Sequence, residues 1–151
     1  MNPKKLHETE LVLDPKPAAH FGVGSVAKVG ELAKAQGAKK ALIITDPFLA
    51  ASEITKKVSD SLKAAGIEVE IFGGVTPNPT TACVDEGSDV ATKADADILI
   101  ALGGGSSMDT AKGVSLGANN PERGIGLDYT TNFKHEGVPI IAIPTTAGTG
   151  S

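Results

Sequence analysis

Short apolar runs alternate with segments of helical periodicity along most of the chain, and this alternation constrains the fold more than any other feature. The runs predict β-strands at Leu42–Thr45, Ile67–Phe72, Ile98–Leu102 and Pro139–Ile143. Three of them are apolar throughout, which is typical of parallel strands covered on both faces. In the run from Ile67, charged residues alternate with apolar ones, which predicts a strand nearer the sheet edge. The pattern predicts an α/β fold with an open, mainly parallel sheet and helices on both faces.

Apolar residues spaced three to four positions apart indicate the first two helices. One pattern runs over 26–33 and stops before Gly37, and the other runs over 54–65 and stops before Gly66. Glycine is the common residue just past a helix C-terminus, so each glycine is predicted to end its helix.

The second half of the chain shows two further helices and a long connection. A third helix is predicted over about 80–94, and a fourth is predicted to begin at Ser106 or Ser107. Residues 118–138 are polar and irregular, and we predict a single loop there.

Length and composition place the chain among globular proteins and exclude two classes of partner. Its 151 residues fit one compact domain, 1–151. The net charge of −4, with interspersed signs, provides no basic surface for nucleic acid. The longest apolar runs are too short to span a membrane. No apolar segment follows the lysines near the start, so no secretory signal is expected and a cytoplasmic location is predicted.

The cysteine and the histidines give little sign of metal chemistry. Cys83 is the single cysteine, which excludes an internal disulfide and is typical of a small core residue. His7, His20 and His135 are scattered, and none has a partner at metal-ligand spacing, so no metal site is predicted in this chain.

Three consecutive glycines, Gly103–Gly105, stand between a predicted strand and a predicted helix. Ser106, Ser107 and Thr110 follow in what should be the first helical turn, where free backbone N–H groups and the helix dipole favour an anion. We predict a phosphate or diphosphate site; the alternative is a tight turn with a serine N-cap. The stretch is no Walker A loop, because Met108 stands where the glycine-lysine pair would begin.

A second glycine pattern, Gly22–Ala27, matches the dinucleotide fingerprint G-x-G-x-x-G/A, with Asp46 about twenty residues further on. The fingerprint must follow a strand, and the preceding "DPKPAAHF" is a poor one. We therefore interpret Gly22–Ala27 as the start of the first helix. Asp46 closes a predicted strand and either accepts hydrogen bonds from ribose hydroxyls or forms the turn before Pro47.

Asp109, Asn78 and the last eight residues each allow more than one interpretation. Asp109 completes a capping box with Ser106, lies as a simple carboxylate at the helix N-terminus, or contacts a neutral part of a ligand. Asn78 is held between two prolines, as a positioned side chain or as part of an ordinary turn. The stretch "PTTAGTGS", Pro144–Ser151, is either a surface for a nucleotide or a flexible linker.

The motifs "ALGGGSSMDTAKG" and "AIPTTAGTGS", with "ITD" and "TPNPT" upstream, together resemble the amino-terminal half of the iron-containing, group III alcohol dehydrogenases. The resemblance covers the chain from its first helix to Ser151. It implies a Rossmann-like domain that binds NAD, followed in that family by a helical domain whose aspartate and three histidines hold iron or another divalent metal.

The resemblance also implies roles for individual residues. Asp46 matches the carboxylate near the adenosine ribose, Asn78 the asparagine beside the cofactor, and Asp109 the aspartate near the nicotinamide end. The diphosphate turn and the threonine-rich loop around the adenosine correspond to Gly103, Gly104, Gly105, Ser106, Ser107, Thr145, Thr146 and Thr149.

Members of that family run on past the point that corresponds to Ser151, so we expect a dinucleotide-binding domain that ends before any metal ligand. The implied reaction is reversible hydride transfer between a primary or small alcohol and NAD, and the 151-residue chain alone is predicted to be inactive. Two alternatives remain: a stand-alone nucleotide-binding module, and a fragment of a metal-dependent lyase similar to dehydroquinate synthase. Homo-oligomerisation stays open.

Overall fold

The structure, a computed structural model, describes residues 11–13, 18–120 and 132–151. Its main sheet has four parallel strands, which are β3 (Lys40–Ile44), β4 (Glu68–Phe72), β5 (Ile98–Gly103) and β6 (Ile140–Pro144). Their order in the sheet is β4-β3-β5-β6. The predicted parallel α/β architecture is confirmed. The helices are α1 (Val29–Ala35), α2 (Pro47–Ala50), α3 (Glu53–Ala64), α4 (Thr81–Ala94) and α5 (Gly105–Asn119).

Helices cover both faces of the sheet because side chains alternate along each strand. Leu42 and Ile44 of β3 pack in one core with residues of α4 and α5, whereas Ala41 and Ile43 pack in the other with residues of α1 and α3. Every residue of β5 is buried, as its apolar sequence predicted.

The two outer strands differ from each other. β4 lies at one edge of the sheet, as the charges at Glu68 and Glu70 predicted. β6 lies at the other edge in the part of the chain that the structure describes, and Ala142 and Pro144 are exposed. The expected full burial of this strand was therefore wrong: Ile140 packs against one core and Ile141 and Ile143 pack against the other, but all three are only partly buried.

The chain changes direction across the sheet between β3 and β5. It leaves β3 through α3 to reach β4, then crosses back through α4 on the opposite face to reach β5. The carboxyl ends of the adjacent strands β3 and β5 therefore diverge into connections on different faces. In open α/β sheets a crevice forms at such a point, and ligands bind there.

Local signals explain the helix ends. The predicted glycines end α1 and α3: Gly37 and Gly66 have φ of 85° and 84°. The helix predicted over 80–94 is confirmed as α4; Thr80 caps its start and Asp95, with φ 53°, ends it.

Glycines allow α4 and α5 to pack closely. A Cβ atom added at Gly113 would lie 2.9 Å from Cγ1 of Val84, and one at Gly87 would lie 2.6 Å from Cγ2 of Val114. One at Gly117 would lie 2.5 Å from Oγ of Ser88. Since real Cβ atoms almost never approach other atoms so closely, this interface requires residues without side chains.

A separate two-stranded antiparallel sheet, β1 (Leu11–Leu13) with β2 (Ala19–Phe21), precedes the main fold. The stretch before Gly22 is thus a short strand, and our interpretation of it as too poor for one was wrong. That strand lies outside the parallel sheet. Residues Ser25–Lys28 form a 3₁₀ turn that leads into α1, so Gly22–Ala27 does begin the first helical segment as predicted.

The predicted loop over 118–138 begins later than expected, because α5 continues through Asn119. Residues 121–131 of this prediction lie outside the described residues. Asn120 joins the two described parts of this connection, because its Oδ1 accepts hydrogen bonds from the backbone N–H groups of Lys134 and His135. Of the helices described, none is long and apolar enough to cross a membrane.

Candidate functional site

The glycine turn joins the end of β5 to the start of α5, at the edge of the sheet where the connections after β3 and β5 diverge. Gly103 has φ 143°, and a Cβ there would collide with the Ser107 side chain. Gly104 is the N-cap, with φ −87° and ψ −165°, an extended conformation open to any residue. α5 begins at Gly105, so neither Ser106 nor Ser107 is its N-cap and the alternative of a serine-capped turn was wrong.

Among the described residues, no N-cap side chain accepts a hydrogen bond from the amides at the start of α5. By contrast, α2, α3 and α4 are capped by Asp46, Ser52 and Thr80. The first amides of a helix need an acceptor, and the dipole makes an anion the favoured one. This turn therefore offers backbone donors to an anionic ligand.

The loop after β6 lies against the glycine turn. The backbone N–H of Thr145 donates to the carbonyl of Gly103 at 2.8 Å. A Cβ at Gly104 would lie 3.1 Å from Oγ1 of Thr146, and one at Gly105 would lie 3.2 Å from Cβ of Thr149. The structure thus places the Thr146 hydroxyl and the carbon atoms of the Thr149 side chain beside the backbone of the glycine turn.

The hydroxyls of the predicted first turn differ in their accessibility. Ser106 is half-buried, whereas Ser107 is buried against Gly103. Thr110 is fully buried, and its Oγ1 has no hydrogen-bond partner among the described residues. The expectation that the Thr110 hydroxyl converges on the turn with the serines was wrong, because this side chain faces the protein interior.

Asp109 is exposed and lies beyond the first turn of α5. Its Oδ2 accepts a hydrogen bond from Oγ of Ser151 at 3.2 Å, and its Oδ1 lies 3.5 Å from Nζ of Lys112. The capping-box interpretation was wrong, since the helix begins too early for Asp109 to reach its N-cap. The carboxylate instead stands beside the threonine-containing loop.

Asp46 uses one carboxylate oxygen to cap α2. Its Oδ1 accepts hydrogen bonds from the backbone N–H groups of Phe48 and Leu49, both at 2.9 Å. A Cβ at Gly103 would lie 3.4 Å from Cδ1 of Leu49, so α2 lies next to the glycine turn. The turn-forming role is thereby confirmed, and neither of these bonds uses Oδ2.

Asn78 has the left-handed conformation, with φ 51°, between Pro77 and Pro79. Left-handed backbone in a residue other than glycine is uncommon and is often found at functional sites. The loop is tied to the end of β3, because the N–H of Val75 donates to the carbonyl of Thr45 at 3.2 Å. Among the described residues, no hydrogen bond joins Asn78 to the glycine turn.

Two residues near the site were not singled out by the sequence. The contact of Ser151 with Asp109 joins residues 42 positions apart, and no local sequence pattern can reveal such a contact. Phe48 lies in the four-residue helix α2, which is too short to show periodicity. The tripeptide Asp46-Pro47-Phe48, with an N-cap residue followed by proline, was the available signal for that helix.

Metal ligands do not converge here. Within 11–13, 18–120 and 132–151, no group of three or more His, Cys, Asp or Glu side chains could hold a metal ion. The described residues therefore do not fit the metal centre that the family resemblance implies.

Comparison with known proteins identifies the family to which the chain is related. The family model described as "Iron-containing alcohol dehydrogenase" matches residues 16–151. The chain is 43% identical over 135 residues to the NAD-dependent methanol dehydrogenase of Bacillus methanolicus, covering 89% of this chain and 35% of the relative. It is 44% identical over 135 residues to the lactaldehyde reductase of Escherichia coli strain K12, covering 88% and 35%.

A solved structure shows the same fold. The sulfoacetaldehyde reductase of Bifidobacterium kashiwanohense, in complex with NAD⁺, matches with a TM-score of 0.75 and 29% identity over 84% of this chain and 34% of that one. The chain thus spans about a third of the length of the relatives that it matches.

Proposed function

Because the chain belongs to the iron-containing alcohol dehydrogenase family, we propose that it is the NAD-binding domain of a metal-dependent dehydrogenase that transfers hydride between a primary or small alcohol and NAD. The observation that carries this proposal is the glycine turn, where α5 begins without a side-chain cap beneath the threonine-containing loop.

The diphosphate of NAD fits the glycine turn on two grounds. The uncapped amides of α5 are donors for its oxygens, and the helix dipole favours its negative charge. Gly104 places no side chain between its backbone and the Thr146 hydroxyl, and the hydroxyls of Ser106 and Thr146 are further donors beside the turn.

In this proposal, Asp46 and Asp109 contact opposite ends of the bound dinucleotide. Oδ2 of Asp46 accepts hydrogen bonds from the adenosine ribose while Oδ1 remains on the amides of α2. Asp109, at the far side of the turn, lies near the nicotinamide end, and Asn78 orients the cofactor from the loop after β4. When bound, NAD supplies the hydride acceptor; the residues described here bind and orient it.

Binding of a metal and an alcohol is assigned to parts of the protein other than the described residues, because these offer no metal-ligand cluster. In this proposal the full protein takes iron or another divalent metal together with a small alcohol or aldehyde. We also propose a cytoplasmic location, which suits a chain whose single cysteine cannot form an internal disulfide.

The alternatives receive less support. The named relatives are a dehydrogenase and two reductases, which favours hydride transfer over a lyase similar to dehydroquinate synthase. A stand-alone nucleotide-binding module is compatible with the same site, and activity of the longer protein distinguishes it from a dehydrogenase domain.

Titration with NAD and NADP tests the proposal. A 2′-phosphate would lie against the Asp46 carboxylate, and this like-charge approach is expected to make NADP bind at least about tenfold more weakly than NAD. Asp46→Asn keeps an oxygen that can cap α2 and removes the charge. It should therefore lower the ratio of the Kd for NADP to the Kd for NAD. Ser52→Ala, which removes the neighbouring cap of α3, is the matched control. Equal affinities of the parent chain for NAD and NADP would contradict the assignment of Asp46.

A further inference from the structure

Phe48 is the most exposed large hydrophobic side chain of the described residues, with 84% of its surface in contact with solvent. It belongs to the first turn of α2, directly after the Asp46-Pro47 pair. An isolated exposed phenylalanine is not unusual in itself. Its location beside the carboxylate assigned to the ribose is what makes it informative.

Hydrogen bonds from backbone N–H groups to the Asp46 carboxylate fix the position of Phe48 relative to Asp46. The N–H of Phe48 donates to Oδ1 of Asp46 at 2.9 Å, and the N–H of Leu49 donates to the same atom. This pair of bonds orients the carboxylate and fixes the backbone from which the Phe48 ring projects. The Leu49 side chain lies toward Gly103 and the glycine turn.

We propose that the ring of Phe48 is the stacking surface for the adenine of the bound dinucleotide, an inference that rests on the proposed function. The base is attached to the ribose carbon next to the one that carries the 2′-hydroxyl. A ribose held by Oδ2 of Asp46 therefore carries its adenine within reach of a residue two positions further along the chain. An aromatic ring stacks on any base, because every base presents a flat π-face.

The chain offers a direct spectroscopic test, since it contains no tryptophan. In a Phe48→Trp variant the new indole is the sole tryptophan, and stacking of adenine on it should quench its fluorescence. The probes are ADP-ribose, which carries adenine and diphosphate, and nicotinamide mononucleotide, which lacks adenine. ADP-ribose should quench the indole saturably and nicotinamide mononucleotide should not.

Calorimetry on truncated side chains provides the second measurement. Phe48→Ala should raise the Kd for ADP-ribose about tenfold, Phe48→Leu should raise it less, and Phe48→Trp should leave it equal or lower. Phe21, 63% exposed in the separate β1-β2 sheet, provides matched controls: Phe21→Ala should not change the Kd, and Phe21→Trp should not be quenched.

The outcomes separate this inference from the proposed function. If ADP-ribose binds the parent chain and Phe48→Ala equally, and the indole at position 48 is not quenched, the adenine lies elsewhere and only this inference is overturned. If the parent chain, folded by circular dichroism, shows no saturable binding of ADP-ribose or NAD, the proposed function is overturned, and the inference with it.

Discussion

Valine in place of Gly104 is expected to weaken dinucleotide binding sharply while leaving the fold intact. Gly104 has an extended backbone that valine adopts readily. Its new Cβ would lie 3.1 Å from Oγ1 of Thr146, an exposed side chain in the loop above the turn. The valine methyl groups would then fill the space between that loop and the backbone, where a diphosphate has to approach.

The substitution should have a small effect on stability and a large effect on the Kd for NAD. Apolar residues are poorer N-caps than glycine, so the start of α5 should lose about 1 kcal/mol of stability. A hydrogen bond to a charged group contributes roughly 1.5–3 kcal/mol. Losing one such bond between backbone and diphosphate should therefore raise the Kd for NAD by about 10- to 150-fold.

Calorimetric titration with NAD, together with urea unfolding, measures both effects. Asp97→Ala is the control for destabilisation, because Asp97 accepts hydrogen bonds from the N–H groups of Lys39 and Lys40 at the opposite end of β5. It should lower stability by about 1 kcal/mol or more without changing the Kd. A Kd for Gly104→Val within twofold of the parent would refute the placement of the diphosphate at this turn.

Two further predictions concern the packing of the domain and its lack of activity. Gly30→Ala should lower the free energy of unfolding by about 2–3 kcal/mol, because its Cβ would lie 2.7 Å from the backbone carbonyl carbon of Ser61 in α3. Urea titration measures this loss, and an unchanged unfolding midpoint would contradict the packing of α1 on α3. The 151-residue chain should produce no NADH from small alcohols with NAD and ferrous or zinc ions. A metal-dependent rate comparable with that of a longer form that includes a metal-binding domain would show that the active site has been misplaced.

Much of the parallel sheet could be predicted because burial on both faces leaves a direct trace in the sequence. Ile98–Leu102 is apolar at every position, and β5 is buried at every position. The exposure of β6 could not be predicted in the same way. Pro139–Ile143 has an equally apolar sequence, and which strands and helices cover it depends on tertiary arrangement.

The candidate site was less accessible to sequence reasoning than the sheet. The glycine turn was apparent because three adjacent glycines interrupt regular structure. The exact start of α5 could not be predicted, because Gly104 and Ser106 are both acceptable N-cap residues. Asp109 could complete a capping box only if Ser106 were the N-cap, and the N-cap is Gly104. The dinucleotide-binding roles of Asp46, Asn78, Asp109 and the threonines stay predictions.

The close packing of α4 on α5 has a consequence for the glycine turn. Gly117, which meets Ser88, lies about 18 Å along the helix axis from Gly105. Over that length a helix behaves as a nearly rigid rod, so a methyl group that forced the helices apart at Gly117 would tilt α5 and shift the amides at its other end. Ligand affinity should therefore be adjustable from a buried interface that no ligand touches, and libraries aimed at altering it should include Gly113 and Gly117.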